Sequence, residues 1–172
     1  MALLIEILEK KHDRKSFSCG QSLLDNYIQR QASQDVKRNL SICYVLNDTD
    51  DNIVKGYYTL SSNAVNREEF PEALAKKLPP SYKDIPTALL GRLAIDNSLK
   101  GKGYGEILLF DALTQCLAVS EKVGTMAVVV DPIDENAQNF YKKYGFILLP
   151  TSGKMLLPMK TITQLKAKDE KS

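Results

Sequence analysis

Apolar and polar positions recur along this chain with two different periods, and together they predict six to seven strands and about four helices. Runs rich in β-branched and apolar residues, bounded by turn residues, indicate strands. They cover residues 3–8, 41–46, 53–64, 87–95, 124–130, 146–149 and 154–158. Apolar positions three and four apart indicate helices over residues 22–38, 67–77 and 134–143, with a long helix directly after residue 105.

The first helix has the clearest periodicity. Its apolar residues recur every four positions, at Leu24, Ile28, Ala32 and Val36. Ser22 and Asp25 have the spacing of a capping box, so we expect the helix to begin there. Arg30 and Lys37 fall together on the opposite face, which we expect to be in water.

The order of these elements predicts an α/β fold. A strand, a glycine-rich turn and a helix are followed by strand, helix and strand. The runs 41–46 and 53–64 flank an acidic, amide-rich turn and indicate an antiparallel hairpin, so the central sheet should be mixed. We expect a single domain over residues 1–160 and a frayed C-terminal tail over residues 161–172.

Composition narrows the class of protein. With 172 residues, 44% hydrophobic and 26% charged, the chain matches ordinary soluble globular domains. No stretch reaches the roughly 20 apolar residues of a membrane span, and the N-terminal stretch is too short and too acidic for a secretory signal, so we expect a cytoplasmic protein. The net charge of +2 does not by itself indicate a nucleic-acid ligand.

Cysteine and histidine content argues against metal chemistry. Cys19, Cys43 and Cys116 are widely spaced and odd in number, so we expect free thiols rather than a disulfide framework or a zinc site. His12 is the one histidine, and we assign it a surface position without a special role. We therefore expect neither a metal centre nor a Ser/His triad.

The turn after the strand at 87–95 is the sharpest local feature. It reads Lys100-Gly101-Lys102-Gly103-Tyr104-Gly105. Glycines at alternate positions let backbone N–H groups surround an anion at the start of a helix, and a phosphate is the natural ligand. Such turns also occur without a ligand, so this one alone leaves both interpretations open. Its spacing fits neither a P-loop nor the Rossmann fingerprint, which disfavours nucleotide hydrolysis and hydride transfer.

Two motifs in sequence order resemble the GNAT acetyltransferases. Lys100, Gly103 and Gly105 match the phosphate turn of that family, Q/R-x-x-G-x-G/A, with lysine in place of Gln or Arg. The stretch from Asn136 to Phe146 matches the family segment N-A-x-x-F-Y-x-x-x-G-F. The resemblance implies the GNAT fold, acetyl-CoA as the donor and N-acetyl transfer as the reaction.

Further segments resemble the GNAT toxins of toxin–antitoxin pairs. They are Phe17–Gly20, Leu24–Tyr27, Gly56–Ser61, Leu90–Ala94 and Val129–Asp131, and the resemblance spans residues 4–158. It implies acetylation of the α-amine of aminoacyl-tRNA, which blocks translation. It also implies silencing by a ribbon-helix-helix antitoxin, and a homodimer is a further expectation.

The GNAT resemblance assigns roles to individual residues. Tyr141 would protonate the departing thiolate, and Asn136 would orient the pantetheine amide. The other expected acetyl-CoA contacts are Leu93, Ala94, Ile95, Lys100, Gly101, Lys102, Gly103, Tyr104, Gly105 and Phe140. The expected contacts to tRNA phosphates are Arg30, Lys37, Arg38, Arg67 and Arg92.

Two other functions would use the same cofactor residues. A GNAT enzyme acting on a small amine or a protein N-terminus should present an acidic acceptor pocket, whereas a polyanionic acceptor requires clustered cations. A noncatalytic acetyl-CoA-binding module would keep the fold without needing Tyr141. The cation doublets at residues 14–15, 37–38 and 76–77 favour the tRNA acceptor.

Overall fold

The computed structural model describes residues 1–171, which contain a seven-stranded sheet. The strands are β1 Leu3–Ile7, β2 Ile42–Asp48, β3 Ile53–Asn66, β4 Asp84–Ile95, β5 Ala127–Val130, β6 Ile147–Leu148 and β7 Met155–Pro158. Their order across the sheet is β1-β2-β3-β4-β5-β7-β6. Each predicted strand run overlaps one of these strands.

The sheet is mixed, as the early hairpin predicted. β1 with β2, β2 with β3, β5 with β7 and β6 with β7 are antiparallel. β4 and β5 are neighbours, and the chain passes from one to the other through a helix, the connection that parallel strands require. The predicted fold class, a mixed α/β sheet flanked by helices, is confirmed.

Five helical segments flank the strands. The first consists of α1 Ser22–Asn26, a π-helical turn Tyr27–Gln31 and α2 Ala32–Lys37 without a break. The others are α3 Glu72–Ala75, α4 Tyr104–Ser120, α5 Glu135–Lys143 and α6 Met159–Lys171. Within residues 1–171 no helix combines the length and the apolar character that crossing a bilayer demands.

Two helix predictions need correction. The predicted helix at 67–77 is a 3-10 turn, Arg67–Glu69, followed by the short α3, because Pro71 lies between them with an extended backbone. The C-terminal stretch is helical over Met159–Lys171 rather than frayed from residue 161, and Ile162 is fully buried. Ser172 lies outside the described residues.

The start of the first helix also differs from its prediction. Gln21 precedes the first helical residue, and Ser22 makes no capping hydrogen bond. The Asp25 carboxylate instead accepts the backbone N–H of Cys19 at 2.8 Å. The predicted capping box is therefore wrong, and Asp25 anchors the loop before the helix.

The described chain divides into two compact units. The first consists of residues 1–61 and 90–112, and the second consists of residues 62–89 together with the chain from Leu113 onward. The core of the first unit packs α1 and the π-helical turn against β2 and β3 through residues that include Phe17, Ile28, Val45 and Tyr57. The core of the second unit includes Val65, Phe70, Val129 and Leu156. The single-domain boundary at residue 160 stays a prediction.

His12 is buried, so its predicted surface position is wrong. The ring Nδ1 accepts the backbone N–H of Glu9 at 2.9 Å, and an atom that accepts there carries no proton. The Nε2–H therefore donates to the Glu6 carboxylate at 2.7 Å. This bond, together with those from Lys11 and Asn47, lowers the pKa of Glu6, although burial opposes the shift.

All three cysteines are buried free thiols, as predicted. Burial raises the pKa of Cys19 to about 11 and that of Cys116 to about 12. Because the thiolate is the reactive form, none of them is activated as a nucleophile.

Candidate active site

The segment between β4 and the glycine turn contains Asp96, whose carboxylate accepts two backbone N–H groups. Leu93, Ala94 and Ile95 close the strand, and Asp96 caps the 3-10 turn Asn97–Leu99. Its carboxylate accepts the N–H of Ser98 at 3.0 Å and the N–H of Ser18 at 3.0 Å. Burial alone raises the pKa of Asp96, but these hydrogen bonds outweigh it and hold the pKa below its ordinary value. Asp96 is thus a positioning residue that the sequence motifs did not indicate.

The glycine turn has the backbone geometry that its composition predicted. Gly101 and Gly103 have φ of +76° and +85°, a conformation that residues with a Cβ rarely adopt. No atom lies within 4 Å of the position that a Cβ would occupy on either glycine. Helix α4 begins at Tyr104, so its first N–H groups have no partner within the helix. The turn therefore offers donors and open space at the positive end of a helix dipole, which fits a pyrophosphate.

The ammonium of Lys100 is engaged within the protein. Its Nζ donates to the main-chain carbonyl of Cys19. A Cβ built on Gly20 would lie 3.3 Å from that Nζ, and Gly20 has a φ of +90°. The lysine that departs from the family motif thus ties the glycine turn to the loop before α1.

Helix α5 carries the second motif and belongs to the second unit. Asp134 caps its start by accepting the Ala137 N–H at 2.8 Å. At its end, the Phe146 N–H bonds the Tyr141 carbonyl and the Gly145 N–H bonds the Lys142 carbonyl, at 3.3 and 3.1 Å. With Gly145 at a φ of +94°, this is a Schellman motif. The G-F pair of the family segment is therefore a helix stop.

Aromatic contacts fix the ring of Tyr141. Its ring packs edge to face against Phe140 at 5.3 Å and against Phe146 at 5.2 Å between centroids. Phe140 also contacts Tyr144 at 5.2 Å. Rings at these separations favour edge-to-face packing, and each pair contributes about 0.5–1.5 kcal/mol. Tyr141 is consequently held in one orientation.

The hydroxyl of Tyr141 is a donor that the protein does not use. The residue is 7% exposed, and burial raises the pKa of its phenol above the ordinary value. Among the described residues this hydroxyl has no hydrogen-bond partner. The unpaired side-chain atoms that are fully buried in the described chain are Asn47 Oδ1 and Thr87 Oγ1, and Tyr141 Oη is not one of them. The ring of Tyr141 is therefore buried while its hydroxyl reaches the surface, where it can donate to a ligand.

The buried tyrosines of the first unit differ from Tyr141 in the hydrogen bonding of their hydroxyls. Each hydroxyl donates to an acceptor within the protein. The pairs are Tyr27 with Asp35 at 2.8 Å, Tyr57 with the Leu24 carbonyl at 2.7 Å and Tyr58 with Asp111 at 2.5 Å. These hydroxyls have structural acceptors and are not available to a ligand.

The expected tRNA contacts fall into three groups. Arg30, Lys37 and Arg38 are exposed in the first unit. Arg92 is half-buried in the same unit, with its guanidinium 3.5 Å from the centroid of the Tyr27 ring, a cation–π contact.

Arg67 is occupied by its own segment. It lies in the second unit, where its guanidinium donates to the carbonyls of Ala75 at 2.7 Å, Leu78 at 2.8 Å and Pro79 at 2.5 Å. The three carbonyls lie at the end of α3 and in the segment that follows it, so Arg67 cross-links residues 67–79. Arg67 therefore has a structural task, and it is not among the RNA contacts that we propose below.

The predicted site residues divide between the two units. Leu93–Ile95 and the turn Lys100–Gly105 belong to the first unit, with Arg30, Lys37, Arg38 and Arg92. Asn136, which is exposed, belongs to the second unit with Phe140, Tyr141 and Arg67.

Comparison with known proteins defines the class. The acetyltransferase (GNAT) domain family matches residues 39–148, a range that contains β4, the glycine turn and the segment Asn136–Phe146. The chain belongs to the GNAT acetyltransferase family.

Individual relatives are toxins. The chain is 32% identical over 139 residues, 81% of each protein, to a tRNA-acetylating toxin of Mycobacterium tuberculosis. Among solved structures, it matches AtaT complexed with acetyl-methionyl-tRNAfMet with a TM-score of 0.88 and 34% identity over 95% of this chain and 99% of that one. It also matches a tyrosine-to-phenylalanine mutant of AtaT bound to acetyl-CoA and the C-terminus of the antitoxin AtaR, with a TM-score of 0.78 and 30% identity over 95% of this chain and 97% of that one.

Proposed function

We propose that this GNAT enzyme is a toxin that transfers acetyl from acetyl-CoA to the α-amine of aminoacyl-tRNA in the cytoplasm and so blocks translation. The single observation that carries the transfer step is the Tyr141 hydroxyl, which is without a partner among the described residues and extends from a buried ring on the α5 motif. The tRNA acceptor is supported by the likeness, over most of the chain, to a toxin solved with acetylated tRNA.

The first unit supplies the donor contacts. Main-chain groups of Leu93, Ala94 and Ile95 at the end of β4 bind the pantetheine arm. The N–H groups from Lys100 to Gly105 bind the pyrophosphate, because the positive φ of Gly101 and Gly103 turns the backbone at the start of α4. Lys102 is exposed on the same turn and adds a positive charge. Lys100 contributes its backbone, since its ammonium bonds the Cys19 carbonyl.

The acceptor needs little activation. A free α-amine has a pKa of about 8, and the adjacent ester lowers it, so much of the acceptor is already neutral near pH 7. Acetyl-CoA supplies the acetyl group as a thioester. The amine forms the new N–C bond while the C–S bond breaks, and a backbone N–H at Leu93–Ile95 stabilises the charge that develops on the thioester oxygen, worth about 3 kcal/mol.

Tyr141 completes the reaction by donating its phenolic proton to the departing thiolate sulfur. The acceptor amine releases one proton to water, and the phenolate of Tyr141 takes up one proton from water, which restores the phenol. Because burial raises the pKa of Tyr141, the O–H form persists throughout the physiological pH range. Asn136 in the first turn of α5 orients the pantetheine amide, and Phe140 packs on Tyr141.

Two partners follow from the same proposal. The negative phosphates of the tRNA are bound by Arg30, Lys37, Arg38 and Arg92. A ribbon-helix-helix antitoxin silences the enzyme, and the toxin is a homodimer. The gene should accordingly neighbour a small gene for such an antitoxin.

The deciding experiment measures transfer of labelled acetyl from acetyl-CoA to total charged tRNA. Deacylated tRNA and simple polyamines serve as parallel acceptors. Label on charged tRNA alone supports the toxin chemistry. Label on the amines alone excludes the tRNA acceptor and leaves a small-amine GNAT enzyme, and no label on any acceptor leaves an acetyl-CoA-binding module.

A further inference from the structure

A basic groove of about 520 Å³ lies beside the first helix, in the first unit. Its lining residues are Lys10, Lys11, His12, Asp13, Arg14, Lys15, Gln29 and Arg30. Of the 23 cationic and 21 acidic side chains of the chain, five and one line the groove, which leaves 18 and 20 elsewhere. The groove therefore has a net charge of +4, whereas the rest of the chain has a net charge of −2.

The cations of the groove fall into two groups. Arg14 and Lys11 bind other groups of the protein, whereas the three that we call open cations do not pair with an acidic side chain of the described chain. The Arg14 guanidinium donates to the Ile28 carbonyl at 3.2 Å and to Ser33 Oγ at 2.7 Å. Lys11 pairs with the Glu6 carboxylate at 3.3 Å. Lys10, Lys15 and Arg30 are exposed, and among residues 1–171 no acidic side chain pairs with any of them.

We propose that this groove binds the phosphodiester backbone of the RNA acceptor. The inference rests on the proposed function, because that function makes RNA the substrate. It adds a site, since Lys10, Lys11, Arg14 and Lys15 are outside every motif of acetyl transfer. Three open cations in one groove fit a polyanion, whose binding releases counterions for each phosphate neutralised.

The lining also indicates which part of the ligand is bound. All eight residues are polar or charged, so the groove offers no apolar pocket of the kind that anchors a protein partner. It contains no phenylalanine, tyrosine or tryptophan on which unpaired bases could stack. The groove therefore contacts phosphates, and it binds RNA without reading sequence.

The test compares two double charge reversals in the full-length protein. The groove variant is Lys10→Glu with Lys15→Glu, and the control is Lys122→Glu with Lys168→Glu, which makes the same change of net charge at exposed positions outside the groove. The dissociation constant for total deacylated tRNA is measured from low to moderate salt. We expect the groove variant alone to bind about tenfold or more weakly, with a log–log salt slope smaller by about 1.4 to 1.8.

Two further measurements distinguish a failure of the groove proposal from a failure of the proposed function. Methionine methyl ester carries no phosphate for the groove to bind, so both variants should acetylate it equally. A loss of this activity confined to the groove variant would place the defect in the transfer site and overturn the proposal. Equal tRNA affinities and slopes for the two variants would also overturn the proposal. So would a groove variant that alone loses binding to poly-glutamate while its tRNA affinity is unchanged. Absence of transfer to charged tRNA by the unmodified enzyme contradicts the proposed function instead, since tRNA binding is measured separately.

Discussion

The first unit buries three tyrosines, Tyr27, Tyr57 and Tyr58, and each hydroxyl donates to an acceptor within the protein. The second unit buries Tyr141, whose ring is held by aromatic neighbours while its hydroxyl has no partner among the described residues. Burial raises the pKa of both Tyr57 and Tyr141, so the direction of the pKa shift does not separate the structural tyrosine from the one that we propose to be catalytic. Hydrogen-bond satisfaction does separate them, because a paired donor is unavailable to a ligand.

The largest effect is expected for Tyr141→Phe. Removing the proton donor should lower the rate of acetyl transfer to charged tRNA by about 10²- to 10⁴-fold. The free energy of unfolding should change little, since the hydroxyl has no partner to lose. Single-turnover kinetics and thermal unfolding measure the two quantities on the same samples.

Tyr82→Phe is the control for that substitution, because Tyr82 is an exposed tyrosine in the second unit. It should transfer acetyl at the rate of the unmodified enzyme. Unchanged turnover in Tyr141→Phe would remove Tyr141 from the mechanism and with it the distinction drawn above.

The converse effect is expected for Tyr57→Phe. This substitution removes the hydrogen bond from the buried Tyr57 hydroxyl to the Leu24 carbonyl, which still accepts the Tyr27 N–H, and the loss costs about 0.5–1.5 kcal/mol of stability. The transfer rate at a temperature well below unfolding should stay within about twofold of the unmodified enzyme. Chemical denaturation measures the stability, and a large rate loss in a folded protein would show that Tyr57 is not purely structural.

A smaller effect is expected at the glycine turn. Gly103→Ala forces a Cβ onto a backbone with φ of +85°, and relaxing that strain of about 1–2 kcal/mol moves the N–H groups that we propose to bind the pyrophosphate. The dissociation constant for acetyl-CoA, measured by calorimetry, should rise about tenfold. Gly124→Ala is the matched control, because that glycine also has open space but no positive φ. Equal affinities for the two variants would exclude the turn from donor binding.

The smallest change is expected in the pH profile of the transfer rate. The rate should rise from pH 6 to about 8 as the acceptor amine loses its proton, and then stay level to about pH 10. The plateau follows because the raised pKa keeps Tyr141 protonated beyond the ordinary range of a phenol. Rapid-quench kinetics outpace hydrolysis of the ester. A decline that begins below pH 9 would mean that the proton donor has a lower pKa than this tyrosine.

Motifs and periodicity predicted the features that depend on short stretches of chain. The strands, the glycine turn and α5 were predicted because neighbouring residues there have strong local preferences that agree with the fold, as the Schellman stop at Gly145 illustrates. The predicted helix boundaries were wrong where the local sequence and the surrounding structure favour different conformations. Pro71 splits the helix predicted at 67–77, and Ile162 packs into the protein and keeps the C-terminal stretch helical.

Side-chain partners could not be predicted in the same way. The Lys100 ammonium donates to a carbonyl 81 positions away in the chain, and the carbonyls that accept from Arg67 lie eight to twelve positions away, at and beyond the end of α3. His12 has no neighbours in sequence that suggest burial, yet its ring closes a turn onto Glu6. The role of a charged residue in a motif can therefore be inferred only when its hydrogen-bond and ion-pair partners are known.

By itself the sequence determined the family, the order of elements and the identity of the residues available for chemistry, because these depend on local backbone preferences and on short motifs. Only the tertiary structure decided which of those residues remain available. It satisfied the hydroxyl of Tyr57, left that of Tyr141 without a partner, and gathered the open cations Lys10, Lys15 and Arg30 into one groove. The physical reason is that hydrogen bonds and ion pairs join residues far apart in the chain, so whether a group is paired is a property of the fold.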